Sequence, residues 1–98
     1  MIDYAKIPSP CYVLDEELLE KNLQVIDRVR REAEVEIIVA LKACAMWSIF
    51  PILARHSDGA TASSAAEARL VFEEYGAPAH TYAPVYTDRH IGEILHTS

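Results

Sequence analysis

The 98 residues predict an α/β protein with a parallel sheet, and three observations carry that prediction. Apolar runs of strand length alternate with segments of helical period. The strands begin near Val35, Ala60 and Ala79, so the units repeat after about 20–25 residues, a spacing that implies right-handed crossovers between parallel strands. The connections between them are short and carry turn or cap residues. Two architectures repeat such units, the doubly wound sheet and the (β/α)8 barrel. No G-x-G-x-x-G turn follows any strand, which counts against the dinucleotide-binding form of the first. A barrel takes about 250 residues, so three units would be the beginning of one.

Along the chain, Ile7-Pro8-Ser9-Pro10 is biased away from helix, leaving Cys11-Tyr12-Val13-Leu14 as a short strand. Asp15 is placed to cap a helix whose first turn holds Glu16 and Glu17. Leu19, Leu23, Ile26 and Arg30 form one stripe of that helix, with Leu18, Val25 and Val29 beside it, to about Ala33. The basic cluster Arg28, Arg30, Arg31 falls near its end, where the dipole favours cations. Val35 to Ala43 is a continuous β-branched and aliphatic run, the pattern of a parallel strand covered on both faces. A helix follows over about Ser48–His56, with Ser48 as its cap and Pro51 in its first turn. Asp58-Gly59 breaks it before the small-residue strand Ala60–Ser63. Ser64-Ala65-Ala66-Glu67 is a capping box; its helix runs to Tyr75 and ends at Gly76, with Pro78 blocking continuation. A third strand is predicted over about His80–Ala83, and a helix from Thr87 or Asp88.

Composition sets the class. Hydrophobic residues make up 51% of the chain and charged ones 24%, which is a globular balance and not that of a disordered tail. Mean hydropathy is only +0.05, and no apolar stretch nears the ~20 residues that span a bilayer. The Met1–Lys6 start lacks the basic segment and apolar core of a secretory signal, so the expected compartment is the cytoplasm. The net charge of -6 disfavours nucleic acid and weakly favours cationic ligands. Cys11 and Cys44 have no CxxC spacing and sit among apolar neighbours, so both read as buried free thiols. His56, His90 and His96 show no ligand pairing with a carboxylate and read as surface residues, and no metal is expected.

Lys42 is the residue that this pattern leaves unexplained. It lies near the C-terminal end of the most apolar run, on the face shared by Ala40 and Ile38. A buried ammonium is costly unless paired. An apolar setting favours the neutral amine, the form that attacks an aldehyde in Schiff-base chemistry. In barrels the C-terminal strand ends carry the active site. A strand-end lysine that snorkels to solvent or pairs with a carboxylate has the same position, and position alone leaves both readings open.

The surrounding motifs supply more. Ala40-Leu41-Lys42-Ala43, followed about twenty residues on by Ala62-Ser63-Ser64-Ala65-Ala66-Glu67, resembles the start of the fold-type III pyridoxal-phosphate enzymes, the alanine racemase-like barrels. Ser9-Pro10-Cys11-Tyr12-Val13-Leu14-Asp15 is similar to the segment that enters their barrel from a separate β-domain. Ala43-Cys44 stands where many relatives have Ala-Asn, and Thr61 where many basic amino-acid decarboxylases carry aspartate. With His80-Thr81-Tyr82-Ala83-Pro84-Val85-Tyr86, these departures resemble the carboxynorspermidine (carboxyspermidine) decarboxylases. The resemblance runs from about Ile7 to Leu95.

It implies the N-terminal part of an alanine racemase-like (β/α)8 TIM barrel. Residues 1–14 would be the entry segment or strand of the β-domain, and residues 15–98 the first three units of the pyridoxal-phosphate-binding barrel. It further implies that Lys42 forms the Schiff base with pyridoxal 5'-phosphate, with Ala40 and Thr61 beside the cofactor. The implied substrate is a small cationic polyamine-like carboxylate, decarboxylated to norspermidine or spermidine by a cytoplasmic homodimer. In such enzymes the phosphate site, the acid at the pyridine nitrogen and the partner's β-domain residues lie further along the chain, so the 98 residues alone are expected to be inactive and poorly stable. Ser64 reads as a helix cap or a phosphate ligand. His80, Tyr82 and Tyr86 read as packed residues or pocket residues, and Trp47 as core or pocket wall. Other readings are a diaminopimelate- or ornithine-type decarboxylase, a non-catalytic pyridoxal-phosphate carrier, or an unrelated α/β binding module with a structural lysine.

Overall fold

Asp15 opens the longest helix of the computed structural model, which describes residues 1–98. Its carboxylate accepts the Leu18 N–H at 3.1 Å, satisfying a donor that every helix start leaves free. The helix, α1 (Glu16–Ala33), has Glu16 and Glu17 in its first turn and Arg30 and Arg31 in its last, as the dipole favours. It closes at Glu34, which is left-handed at φ 54°, while the Val35 N–H returns to the Arg30 carbonyl (3.1 Å).

Three short strands follow: β1 (Val39–Ala40), β2 (Ala60–Ala62) and β3 (His80–Thr81). They pair in parallel in the order β1-β2-β3, with Ala40 opposite Thr61 and Ala62 opposite Thr81. Helices separate them, so the parallel α/β class read from the sequence stands. The first strand is shorter than its apolar run. Ladder bonds reach from Asp58 N–H to the Ile37 carbonyl (2.9 Å) as far as Leu41 N–H to the Thr61 carbonyl (3.2 Å). Beyond that, the Ala43 and Cys44 N–H groups both return to the Ala40 carbonyl, at 3.0 and 3.4 Å. The backbone therefore turns over Leu41-Lys42-Ala43, and Lys42 stands in that turn instead of in the strand.

Between β1 and β2, a 3-10 turn (Trp47–Ile49) leads into α2 (Phe50–Ala54), with Pro51 in its first turn. Ser48 lies inside that turn and caps nothing; Met46 holds the cap position without a side-chain bond. After β2, Ser64 Oγ accepts the Glu67 N–H (3.1 Å) and opens α3 (Ala65–Leu70). The Glu67 carboxylate accepts the Ser63 N–H (2.6 Å), one residue before the partner a capping box would give it. A π-type turn over Val71–Tyr75 prolongs the helix to Gly76. There φ is +79° and nothing lies within 4 Å of the missing Cβ, so the dihedral and not space calls for glycine. The last helix, α4 (Asp88–Thr97), is capped by Thr87, whose Oγ1 accepts the His90 N–H. Its end returns to the sheet through Ala79 N–H to the Thr97 carbonyl (2.8 Å). Residues 11–14 form no strand, because no neighbouring chain lies beside them to accept a ladder; a 3-10 turn over Tyr4–Lys6 is the only regular element before α1.

Phe50 and Val71 are the largest fully buried side chains, joined by Leu23, Leu41, Ile49 and Leu53. Alanines 60, 62 and 68 are buried between β2 and α3 and let the two backbones approach closely. The Phe50 and Tyr75 rings pack with centroids 5.8 Å apart, and the Tyr75 hydroxyl bonds Ser57 Oγ. This core is thin. Only 12 of 98 residues are buried, and the accessible surface is 7167 Å² where about 5,600 Å² is usual for this mass. The 15.6 Å radius of gyration likewise exceeds the ~13 Å of a closed domain of this length.

Polar side chains tie α1 to the strand starts. Arg30 lies on the apolar stripe because its guanidinium bridges Asp27 and Asp58, each at 2.7 Å. Asp58 also accepts the Ile37 N–H (2.9 Å), joining the segments ahead of β1 and β2. His56, expected at the surface, is half-buried against α1. Its Nε2 lies 2.9 Å from Glu20 Oε2 and its Nδ1 3.8 Å from Asp27. Arg55 pairs with Glu20 and Arg31 with Asp27. The lack of a carboxylate at ligand spacing in the sequence placed His56 outside; two acids on a distant helix draw it in.

Candidate functional site

Parallel strands end along one edge of a sheet, and in α/β folds ligands gather at the carboxyl edge. Here that edge carries the Lys42 turn after β1, Ser63 and Ser64 after β2, and Tyr82 and Ala83 after β3. Ala40 and Thr61 are register partners on adjacent strands, both half-buried, and Lys42 follows Ala40 by two residues. The structure therefore brings the three residues singled out from the sequence to one end of the β1–β2 pair.

Lys42 is exposed, so the apolar burial expected for it is absent, and the reason is the turn that ends β1 early. Its neighbours are held firmly. Leu41 is only 2% exposed and its N–H is fixed to the Thr61 carbonyl, while the next two N–H groups share the Ala40 carbonyl. Of the nine lysines and arginines, seven pair with a carboxylate; only Arg28 and Lys42 do not. An unpaired amine at the carboxyl end of a strand can attack a carbonyl without first breaking an ion pair.

Two concavities flank the edge. An apolar groove of about 510 Å³ is lined by Tyr12 and by residues 43–47, including Cys44, Met46 and Trp47. Trp47 is a wall of that groove, 61% exposed, and does not belong to the core. Cys11 is exposed and Cys44 half-buried, so neither is the buried thiol expected, because their apolar neighbours line a surface groove. A second cleft of about 500 Å³ lies between the starts of α3 and α4, with Ser63, Ser64, Arg69, Tyr86, Arg89 and His90 in its wall. Lys42, Ala40 and Thr61 line neither. Ser64 spends its hydroxyl on capping, and Tyr86 OH accepts the Ala83 N–H (2.6 Å). His80 is exposed at the start of β3, away from the carboxyl edge. Tyr82 is exposed just after that strand and donates its N–H to the Ala62 carbonyl. Sequence reasoning missed Tyr12 as a neighbour of the lysine loop; some thirty residues separate them, and no periodicity links them.

No protein-family model matches the chain. The carboxyaminopropylagmatine decarboxylase of Synechocystis sp. is 48% identical over 91 residues, 93% of this chain and 24% of that protein. The carboxynorspermidine/carboxyspermidine decarboxylase of Herminiimonas arsenicoxydans is 37% identical over 89 residues, 91% of this chain and 24% of that one. Among solved structures, carboxynorspermidine decarboxylase from Campylobacter jejuni, complexed with norspermidine, matches with a TM-score of 0.88 at 32% identity. That match covers 94% of this chain and 25% of the other. The chain thus spans about a quarter of the length of the curated relatives it matches.

Proposed function

We propose that this chain, a homologue of the carboxynorspermidine/carboxyspermidine decarboxylases over about a quarter of their length, supplies the cofactor lysine of such an enzyme. The whole protein would be a pyridoxal-phosphate-dependent carboxy-lyase of polyamine biosynthesis, yielding norspermidine or spermidine. Residues 15–98 would form the first three units of its (β/α)8 barrel, and residues 1–14 the segment that enters it from a separate β-domain. The observation that carries the reading is Lys42, unpaired and exposed at the carboxyl end of β1 beside the register pair Ala40 and Thr61.

The residues present fit the cofactor. Lys42 offers a primary amine with no competing carboxylate, and Ala40 and Thr61 are small enough to leave room for a flat ring beside it. Bound there, pyridoxal phosphate would supply an electron sink for the pair left behind when carbon dioxide departs. Lys42 would hold the cofactor's aldehyde carbon and yield it to the substrate amine, and Thr61 and Ala40 would bound that space. The substrate is cationic, and the net charge of -6 favours its approach. Function as a homodimer in the cytoplasm completes the reading; no helix here is long and apolar enough to cross a membrane.

Incubation of the whole protein with pyridoxal phosphate, borohydride reduction and peptide mapping test the assignment. The expected adduct is on Lys42 and is lost in Lys42→Ala; an adduct elsewhere overturns it. Carbon dioxide release by the whole protein from carboxynorspermidine, with none from ornithine or diaminopimelate, would separate this enzyme from its superfamily relatives and from a non-catalytic carrier. The 48% identity to a protein named for carboxyaminopropylagmatine favours a second reading, a substrate ending in a guanidinium group. Competition between the two substrates decides between them.

A further inference from the structure

Lys42 sits on a platform whose parts are all in view. Leu41, immediately before it, is buried in the core with Ile49, Phe50 and Leu53. The Leu41 N–H makes the last ladder bond of the β1–β2 pair, to the carbonyl of Thr61. The Ala40 carbonyl then receives two N–H groups from beyond the lysine, so the backbone is pinned on both sides of residue 42. The lysine itself has no side-chain bond to hold it. Its placement is delegated to its neighbours.

We propose that Leu41 is the positioning residue for Lys42: its buried side chain and its bond to Thr61 fix where the turn leaves β1, and hence where the amine stands. The inference rests on the reading that Lys42 carries the cofactor. Truncating Leu41 frees the turn to rotate over the cavity left beneath it, whereas the same truncation elsewhere in the core loosens packing without moving the turn. Leu53 supplies that control. It is 5% exposed in the same cluster, but it lies in α2 and makes no backbone bond to the lysine turn.

The experiment compares the rate at which the whole protein, of which these residues are about a quarter by its relatives' length, forms the borohydride-reducible pyridoxal-phosphate adduct, followed by absorbance and by mass, in Leu41→Ala and Leu53→Ala. Misplacement of a reacting group by a fraction of an ångström to an ångström costs about tenfold or more, so Leu41→Ala should slow adduct formation by about tenfold. Leu53→Ala should stay within about twofold, and Leu41→Met should restore most of the rate. Equal slowing by the two alanine variants would overturn the proposal and leave Leu41 as packing alone. Should Leu41→Ala fail to fold, Leu41→Val against Leu53→Val makes the same comparison with a smaller cavity. If the unaltered whole protein forms no adduct, or forms one that survives Lys42→Ala, the underlying reading fails and this inference with it. A Lys42 adduct whose rate ignores Leu41 sinks the inference alone.

Discussion

Glu20 and Asp27 bind the α2 end to α1, and they make the fold sensitive to acid. His56, then Arg55, hydrogen-bond Glu20 and hold its carboxyl below the usual range. Burial pushes Asp27 up, but the hydrogen bond from Arg30 and the charges of Arg31 and Arg30 outweigh it, and the net direction is again down. A carboxyl whose folded value is depressed stabilises the fold above its unfolded value, and that contribution is lost as pH falls through the folded one. The urea midpoint should therefore drop as pH is lowered from about 5 towards 3, and a Glu20→Gln/Asp27→Asn variant should show a shallower drop. An unchanged slope in that variant would place the acid sensitivity elsewhere. Asp58 makes a second prediction. It holds the Arg30 guanidinium and the Ile37 N–H together, so Asp58→Ala should cost about 1–3 kcal/mol by denaturant titration. None of these acids was legible as a clasp in the sequence, where Asp58 reads only as the residue before a helix-breaking glycine.

Caps were the most legible features of the elements. Asp15, Ser64 and Thr87 each sit where the sequence places a helix start, and each accepts the backbone N–H three residues on. Ser64→Ala should destabilise the chain by about 1 kcal/mol, read as a shift of the urea midpoint. The same change tests whether Ser64 does anything more. If it is only a cap, Ser64→Asp should retain stability and leave cofactor binding unaltered, whereas a phosphate ligand would lose affinity on gaining a negative charge. Strand length was less legible. The run Val35–Ala43 has one composition throughout, yet pairing is limited to Ile37–Leu41, because beyond Leu41 the Ala43 and Cys44 N–H groups turn back to the Ala40 carbonyl.

Taken whole, the chain exposes more than its size calls for. Both β1 and β3 present an unpaired edge, and Leu18, Val25 and Val29 of α1 stand half-exposed. Open parallel edges with apolar neighbours invite pairing between chains. The purified 98 residues should self-associate as concentration rises, measurable by sedimentation velocity; a monomer stable at millimolar concentration would contradict this. In a longer enzyme, further strands would cover those edges, which is the arrangement proposed for it above.

Local chemistry written in the sequence determined the order and type of the elements from α1 onward, the caps Asp15, Ser64 and Thr87, the parallel class and the position of Lys42 at a strand's carboxyl end. These depend on residues within three or four positions of one another, or on the two periods of 2.0 and 3.6. Tertiary structure alone decided where β1 stops, that Lys42 stands in a pinned turn, and that His56 lies between two acids. Each of those rests on a partner 20 or more residues away: Thr61 for Leu41, Glu20 and Asp27 for His56. A pattern confined to neighbours carries no record of which distant group will complete a hydrogen bond.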